Sequence, residues 1–528
     1  MLFEILKNVK LDHGAARVGR LALPRQRARL PIDTPNFIAI TSRGSVPHMT
    51  PDVVTRHTQL AGAYMALEDF VELSQKRKSP ALYKASAVLN GGLNQTSSPP
   101  SETDTSSTST SSKGALHFYT ATPPSQTIVL AARRHPAVTA PMGNGVDYVS
   151  LFTSTGFQKL KVDDYCDAVA DVRPDVAVPL ADLTYGYAEA GNRLANPKRQ
   201  LRMVERTEDW VANFFARCTG GAGGGAAGAG KKVLDNTAVF APTLPVPYSM
   251  QWDYLNRLSQ DHREHISGLA IYDADILADL GDYPALTPLP RMSMDFFMSP
   301  HNILRQVQLG MDLFTVPFIN TASDAGIAMT FQFLPPAGDN TGTGVMPLGI
   351  DMWSETHRVA VKPLLEGCTC YVCTKHHRAF LQHLLNAKEM LGWTLLQIHN
   401  HHIVSQFFAD IRKVLSEESP ETFDDYCRQF QLRYDSELPK GTGERPRARG
   451  YHFKAEAGQA KINKPAWEKF EASDSQLNAG LERVSAKGQV GSVATGAALE
   501  GTETPVVPEG TASELVEKGF AEVDSGKT

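Results

Sequence analysis

The chain has 528 residues, of which 42% are hydrophobic, and its formal net charge at pH 7 is −5. No stretch approaches the about 20 consecutive apolar residues of a membrane-spanning helix, so we expect a soluble protein. The charge is uneven, because residues 471–528 hold ten acidic and four basic side chains and leave residues 1–470 near +1. A near-neutral body excludes a general attraction to nucleic acid, so any such contact needs a local patch.

Composition also divides the chain. The start is rich in arginine, but Glu4 and Asp12 interrupt it, so a targeting peptide is not predicted. Three segments have compositions typical of disordered regions. They are a Ser/Thr/Pro-rich insertion at 94–114, a Gly/Ala-rich spacer at 219–232 and the polar chain from 435 onward. We therefore predict a body at 1–345 that contains both insertions, a subdomain with closing helices at 346–434, and a largely disordered tail at 435–528.

Short apolar runs alternate with helix-like stretches along the body. The segment 299–310 is a predicted helix with Ser299 as N-cap, Pro300 in its first turn and Gly310 at its end. Alternation of strand and helix favours a parallel α/β sheet, and at this size a (β/α)₈ barrel is preferred over a doubly wound sheet. The strand candidates are "DTPNFIAIT", "DVAVPLADL", "NTAVFAP", "HISGLAIYD" and "MDLFTVPF".

Three of the six cysteines lie in "CTCYVC", residues 368–373. Cys368, Cys370 and Cys373 have the spacing of a metal knuckle, and tetrahedral Zn²⁺ needs one further nitrogen or sulfur ligand. Four protein donors indicate a structural ion, because a catalytic zinc keeps one position open. The other cysteines, Cys166, Cys218 and Cys427, are isolated in the sequence, so we expect inert thiols.

The fourth ligand is expected on a helix that returns to the knuckle. Phe380, Leu384, Ala387 and Leu391 share one helical face, and Gly392 is predicted to end that helix. A second helix would follow and carry three histidines, with His399 as the ligand and His401 or His402 as alternatives. His376 and His377 are too close to the last cysteine in sequence to complete the same tetrahedron.

This pattern resembles the tRNA-guanine transglycosylases, also called queuine tRNA-ribosyltransferases. In that family the motif C-x-C-x-x-C is followed about 26 residues later by the histidine of an H-N pair, and here His399-Asn400 follows Cys373 at that distance. Similar segments occur in family order over roughly residues 10–430, namely "DTPNFIAITSRGSVPHMTPD", "ISGLAIYD" and "RMSMDFFMSPHNILRQVQLGMDLF". The resemblance implies a TIM barrel with a zinc subdomain, and one structural zinc held by Cys368, Cys370, Cys373 and His399.

The family exchanges guanine at the tRNA wobble position through an aspartate that attacks ribose C1′. Catalytic members read approximately G-V-D-M-F-D-C-V-M-P-T-R, whereas "GMDLFTVPF" has Thr315 at the nucleophile position and Asp312 at an earlier, structural aspartate. The segment S-D-S-G-G-F-Q has no counterpart between residues 65 and 135, and Tyr272 replaces a glycine of G-G-L-A-V-G-E. Asp182 lies near a base-recognising aspartate of catalytic members, but its flanks differ, so a solvated or capping role is predicted. The resemblance therefore implies no catalytic residue.

These losses are typical of the family's non-catalytic branch, which pairs with a catalytic subunit of the same fold. The implied function is support of dimerisation and tRNA binding while queuine replaces guanine at position 34 of tRNAs with GUN anticodons. The implied location is the cytoplasm, with peripheral association at the mitochondrial outer membrane. Two alternatives stay open: an active transglycosylase that uses a displaced aspartate such as Asp312 or Asp324, and a queuine-binding or salvage protein.

Two further motifs resemble a nucleotide-binding loop and an RNA-binding strip. "GAAGAGKK", from Gly225 to Lys232, nearly matches a P-loop, but Lys232 replaces the Ser/Thr that holds Mg²⁺, so no nucleotide is predicted. The strip at 445–464 combines basic residues with Tyr451 and Phe453 and could contact tRNA phosphates and bases. A solvated linker is the favoured interpretation of that strip.

Overall fold

The computed structural model describes residues 2–11, 14–23, 31–71, 80–85, 115–138, 143–153, 156–183, 196–218, 237–296, 298–334, 344–417 and 422–446. The chain divides into two compact units, 1–460 and 461–528, and every described residue belongs to the first. The insertion at 94–114, the spacer at 219–232 with its P-loop-like motif, and the chain beyond 446 with most of the basic strip lie outside the described residues.

The described part alternates strands with helices. Its strands are β1 (Leu2–Leu11), β2 (Gly14–Ala22), β3 (Ile32–Thr34), β4 (Asn36–Ile40), β5 (Gly62–Ala66), β6 (Thr127–Ala131), β7 (Tyr148–Thr153), β8 (Gly156–Lys161), β9 (Val176–Ala177), β10 (Ala238–Thr243), β11 (Gly268–Ile271), β12 (Arg291–Ser293), β13 (Leu313–Thr315), β14 (Ile327–Met329) and β15 (Gly349–Asp351). Its main helices are α1 (Pro51–His57), α2 (Ala115–Tyr119), α3 (Val162–Val172), α4 (Pro197–Cys218), α5 (Tyr248–Gln260), α6 (Pro300–Gln308), α7 (Phe318–Asp324), α8 (Tyr371–Lys375), α9 (Arg378–Asn386), α10 (Met390–Ser416) and α11 (Phe423–Arg433). None of the helices in these ranges combines the length and the apolar character that crossing a bilayer requires.

Eight parallel strands close a barrel in the order β4–β5–β6–β9–β10–β11–β12–β13, and β13 pairs with β4 to complete the circle. The predicted (β/α)₈ barrel is confirmed, and each of the five predicted strand segments overlaps a barrel strand. Alternate residues face inward, as the two-residue period of a strand requires. The inward-facing side chains form one hydrophobic cluster, the inner cluster, which includes Tyr64, Phe240, Met292 and Met294. The barrel interior is therefore a packed core.

Residues 2–11 and 14–23, near the start of the chain, are part of the fold. Strands β1, β2 and β3 form an antiparallel sheet, and β3 leads directly into barrel strand β4. The sheet therefore lies beside the N-terminal ends of the barrel strands. Arg17 on β2 ties it to the barrel, because its guanidinium group pairs with the buried carboxylate of Asp312 in front of β13.

Helices α9 and α10 differ from the prediction. The first ends at Asn386 and not at Gly392, because Lys388 adopts a left-handed φ of 57° and the second begins at Met390. Gly392 lies inside α10, where a Cβ atom would approach the Leu385 side chain to 3.2 Å. This glycine permits close packing of two helices and does not terminate one.

Residues 435–446 contact the body. The backbone N–H of Asp435 donates to Met346 O at 2.9 Å, and Thr442 Oγ1 donates to the Asp351 carboxylate at 2.7 Å. The Trp353 ring lies so close to Gly443 that an added Cβ would meet it at 1.9 Å. The part boundaries 1–345, 346–434 and 435–528 stay predictions, but the chain just beyond 434 is anchored by these contacts.

Candidate metal centre and barrel mouth

The structure brings the three cysteines and His399 into one cluster. Ligand atoms of Cys368, Cys370, Cys373 and His399 all lie within 4.8 Å of one another. His399 Nδ1 is 3.5 Å from the Sγ atoms of Cys370 and Cys373 and 3.9 Å from that of Cys368. Ligand bonds of about 2.3 Å to sulfur and about 2.0–2.1 Å to nitrogen around a tetrahedral ion place sulfur and nitrogen about 3.6 Å apart. The cluster therefore has the donor set and the spacing to hold a tetrahedral metal ion.

The cysteine knuckle is built on a short helix. Cys370 is the N-cap of α8, and its Sγ accepts a hydrogen bond from the backbone N–H of Cys373 at 3.3 Å. An N-cap acceptor satisfies one of the free N–H groups at the start of a helix. The C-x-x-C spacing thus places both thiols at the same end of α8, with Cys370 buried and Cys373 half-buried.

His399 is oriented by the strand beneath it. It lies in α10 with no exposed surface, and its Nε2 donates to Met329 O on β14 at 2.9 Å. This bond orients the ring so that Nδ1 faces the three thiols. The adjacent Asn400 accepts from Met329 N at 2.9 Å and donates to Ser323 Oγ at 2.9 Å. Asn400 was quoted in the sequence motif, but its positioning role was not predicted.

The protonation of the cluster follows from these contacts. Burial alone would lower the pKa of His399, but hydrogen bonds with Cys368 and Cys373 raise it to about 9 in the absence of a cation. Contacts from Cys370 and Cys373 lower the pKa of the Cys368 thiol, whereas contacts from Cys368 and Cys373 raise the pKa of the Cys370 thiol. A proton on His399 offsets the charge of a Cys368 thiolate, and a metal cation would offset it in place of that proton.

The other histidines take different positions. His401 Nδ1 donates to Gln397 O at 2.9 Å and its ring is buried, which lowers its pKa to about 4. His376 stacks on Phe380, and His377 caps α9 by accepting from the Phe380 N–H at 3.2 Å. His402 does not belong to the cluster of four donors. Neither alternative ligand therefore replaces His399.

Thr315 ends β13, the eighth barrel strand in chain order. It lies at the C-terminal end of the barrel, where barrel enzymes carry their active sites. Its side chain is fully buried, and its hydroxyl donates to Ser293 O on the neighbouring β12 at 3.0 Å. Leu313, two residues earlier, belongs to the inner cluster, so Thr315 also faces the interior. The Thr315 hydroxyl therefore links β13 to β12 through this hydrogen bond.

Side chains pack at the C-terminal end of the barrel, which we call the barrel mouth. A cavity of about 20 Å³ lies there among the described residues, and Tyr64, His135, Tyr272 and Met294 are among the residues that line it. A volume of this size holds about one water molecule. Tyr272 follows β11, so its ring occupies space at the mouth that a glycine would leave open. This cavity, which the described residues line, is smaller than a purine base.

Asp182 is neither solvated nor a helix cap, so that prediction is wrong. The residue is fully buried behind the mouth and accepts hydrogen bonds from Asn144 at 2.7 Å and from Arg206 at 3.1 Å. Arg199 donates to its two carboxylate oxygens at 2.9 and 2.6 Å. Arg199 and Arg206 are seven residues apart on α4 and therefore share a face. Tertiary packing of α4 creates this network, and the local sequence carries no signal for it.

The two aspartates considered as displaced nucleophiles are both engaged. Asp312 precedes β13, at the end of the barrel opposite the mouth, and accepts from the Arg291 N–H at 2.8 Å as well as from Arg17. Complete burial raises the pKa of Asp312, and the two guanidinium groups oppose that shift. Asp324, in α7, contacts His48 Nε2 at 2.5 Å. Both carboxylates thus have positively charged or hydrogen-bonding partners within the fold.

Comparisons with known proteins agree with this architecture. A family model described as queuine tRNA-ribosyltransferase matches residues 12–436. The chain belongs to the queuine tRNA-ribosyltransferase family. It is 32% identical over 445 residues to a Schizosaccharomyces pombe protein called queuine tRNA-ribosyltransferase accessory subunit 2, with 83% of this chain and 86% of the relative covered. A Drosophila mojavensis protein of the same name is 25% identical over 456 residues, with 82% and 93% covered.

The family resemblance predicts that Thr315 takes the place of a catalytic aspartate and that Tyr272 takes the place of a glycine. The structure puts both residues at the C-terminal end of the barrel, one donating to Ser293 O and one lining the small cavity. The four donors of the metal cluster are the four residues that the family resemblance predicted as ligands.

Proposed function

We propose that this chain is the non-catalytic subunit of a heterodimeric queuine tRNA-ribosyltransferase. In this function it pairs with a catalytic subunit of the same fold and supports tRNA binding during the exchange of guanine for queuine at position 34 of tRNAs with GUN anticodons. The observation that carries the proposal is the buried Thr315 hydroxyl, bonded to Ser293 O at the position of the missing nucleophile. The names of the fungal and insect relatives support the same function.

The ion is assigned as one structural Zn²⁺. Three thiolates and one imidazole are the donors that select zinc, and a fourth protein ligand leaves no open position for chemistry. Cys368, Cys370, Cys373 and His399 would hold the ion, and Met329 O would keep the imidazole oriented. The ion would tie α8 to α10 and thereby fix the subdomain that follows the barrel.

The partner surface is assigned to this metal-binding part. Large apolar side chains are exposed there, which is typical of protein interaction sites. Val359 is 83% and Val361 78% exposed, and the segment that carries them lies beside α9 through the hydrogen bond from Ala379 N to Ala360 O. Two same-fold subunits that pair through one such patch would form a pseudo-twofold dimer in which only one active site has to function.

The test is guanine exchange by purified subunits. The chain alone, a catalytic subunit alone and their mixture are incubated with labelled guanine and a tRNA that has a wobble guanine. We expect no turnover by the chain alone, and a complex of one copy of each subunit with exchange activity. Robust turnover by the chain alone, or failure to form the complex, would contradict the proposal.

The two alternative functions have less support. A displaced nucleophile is disfavoured because Asp312 and Asp324 are engaged as described, and a queuine-binding protein is disfavoured by the size of the cavity. Contact with tRNA, location in the cytoplasm and association with the mitochondrial outer membrane stay predictions. Fractionation of cells that express a tagged chain would check the last two.

A further inference from the structure

A β-hairpin, formed by β7 and β8, lies at the rim of the barrel mouth. It follows barrel strand β6, so the chain enters it from the C-terminal end of the barrel. Glu68, after β5, accepts from the Phe152 N–H at 3.2 Å, and Arg134, after β6, donates to Phe152 O. Both Glu68 and Arg134 are buried. The hairpin is therefore held rigidly at the end of the barrel where the family carries out its chemistry.

The two faces of the hairpin differ. Val149, Leu151 and Leu160 point into the hydrophobic core. The other face carries three cross-strand pairs, which are Tyr148 with Lys161, Ser150 with Lys159, and Phe152 with Phe157. None of these six side chains is acidic, and two of them are cationic. This face thus has the positive charge that a polyanion requires.

Three side chains of β8 on this face reach solvent. Phe157 is 37% exposed and its ring lies 4.8 Å from the buried Phe152 ring, which holds it in place. Lys159 and Lys161 are exposed, and Lys159 Nζ lies 4.5 Å from the centre of the Tyr148 ring. Within the described residues β8 pairs only with β7, so its outer edge is not covered by another strand. A supported aromatic ring beside two lysines is typical of surfaces that bind single-stranded nucleic acid.

We propose that Phe157, Lys159 and Lys161 bind an unpaired segment of the tRNA. The lysines contact backbone phosphates, and the exposed face of the Phe157 ring stacks on a base. The assignment rests on the proposed function, because it takes the tRNA of the heterodimer as the ligand. It adds to that function a defined RNA-contacting surface on this subunit, separate from the apolar patch assigned to the partner.

The test is tRNA affinity of the assembled heterodimer as a function of salt. In a Lys159→Gln/Lys161→Gln variant, loss of two phosphate contacts should make the slope of log K against log salt shallower by about 1.4, with affinity about tenfold weaker near physiological salt. Phe157→Leu keeps packing against Phe152 but cannot stack, and should weaken binding at least about fivefold. Lys10→Gln, an exposed lysine on β1 beside the opposite end of the barrel, is the matched control and should change neither quantity.

The outcomes separate this inference from the proposed function. If the unmodified heterodimer does not bind tRNA, both the proposed function and the assignment of this surface are wrong. If the unmodified heterodimer binds and the hairpin variants keep its affinity and slope, the surface assignment is wrong and the proposed function stands. If the hairpin variants no longer bind the catalytic subunit but still bind tRNA, the hairpin face is a protein interface. The assignment is then also overturned. Thermal unfolding of each variant chain verifies that its fold is intact.

Discussion

Replacement of Thr315 by valine tests whether this position is structural. The change removes the hydrogen bond to Ser293 O, which is worth about 1 kcal/mol net. It also buries one additional methyl group in the barrel interior, which contributes about 0.8 kcal/mol in the opposite direction. We therefore expect Thr315→Val to change the free energy of unfolding by less than about 1 kcal/mol.

Urea unfolding of the chain and guanine exchange by the heterodimer are the two assays. The account predicts near-wild-type stability and unchanged kcat, because the hydroxyl contacts a neighbouring strand and no reacting atom. A tenfold loss of kcat, with partner and tRNA binding intact, would refute the structural interpretation of Thr315.

The reverse substitution, Thr315→Asp, sharpens this test. It would place an unpaired carboxylate in a fully buried position next to a carbonyl oxygen, which costs about 3–5 kcal/mol. Thr315→Asn is the matched neutral control, since its amide can donate to Ser293 O. Neither variant should give the isolated chain exchange activity, because Tyr272 still occupies the mouth. Activity in the aspartate variant would show that the missing carboxylate is the only defect.

Three further predictions concern buried polar sites. Cys373→Ala should lose the bound metal and lower the free energy of unfolding by several kcal/mol, as elemental analysis and urea titration would measure. Metal affinity should rise with pH up to about 9, because His399 must lose the proton that its raised pKa retains, and a competition titration at several pH values would detect this. Asp182→Asn should cost about 3–5 kcal/mol of folding stability in urea titration, since it leaves Arg199 and Arg206 without their carboxylate.

Five of the eight barrel strands lie in segments that the sequence marks as apolar runs. "NTAVFAP" and "HISGLAIYD" are such runs, and they overlap the barrel strands β10 and β11. Strand β12 reads "RMS" and β5 reads "GAYMA", so neither has the β-branched content that marks a strand, whereas β6 reads "TIVLA" and was missed despite that content. These segments are strands because they pair with their neighbours in the closed barrel. Local propensity alone does not predict that pairing.

The metal cluster could be predicted because its signal is local spacing. Three cysteines in six residues and one H-N pair define the ligands before any fold is known, and the structure brings those four donors together. The linking helices were less predictable, because Gly392 can signal a helix end or a close helix contact. Only the position of Leu385 against α10 distinguishes the two.

Networks that join distant segments were not predictable from one sequence. Asp182 accepts hydrogen bonds from two arginines of α4, Arg199 and Arg206. No sequence spacing predicts that these residues meet. Cys166 and Cys218, which the sequence presents as isolated, hydrogen-bond to each other between α3 and α4. Both are buried and not joined by a disulfide, which agrees with the expectation of packing thiols, and their contact with each other was not predicted.

The most direct test of the account is to locate the covalent ribosyl intermediate. The assembled heterodimer is incubated with tRNA under conditions that trap the intermediate, and the subunits are separated under denaturing conditions. We expect the tRNA to remain attached to the catalytic subunit alone. Attachment of tRNA to the chain that carries Thr315 would contradict it.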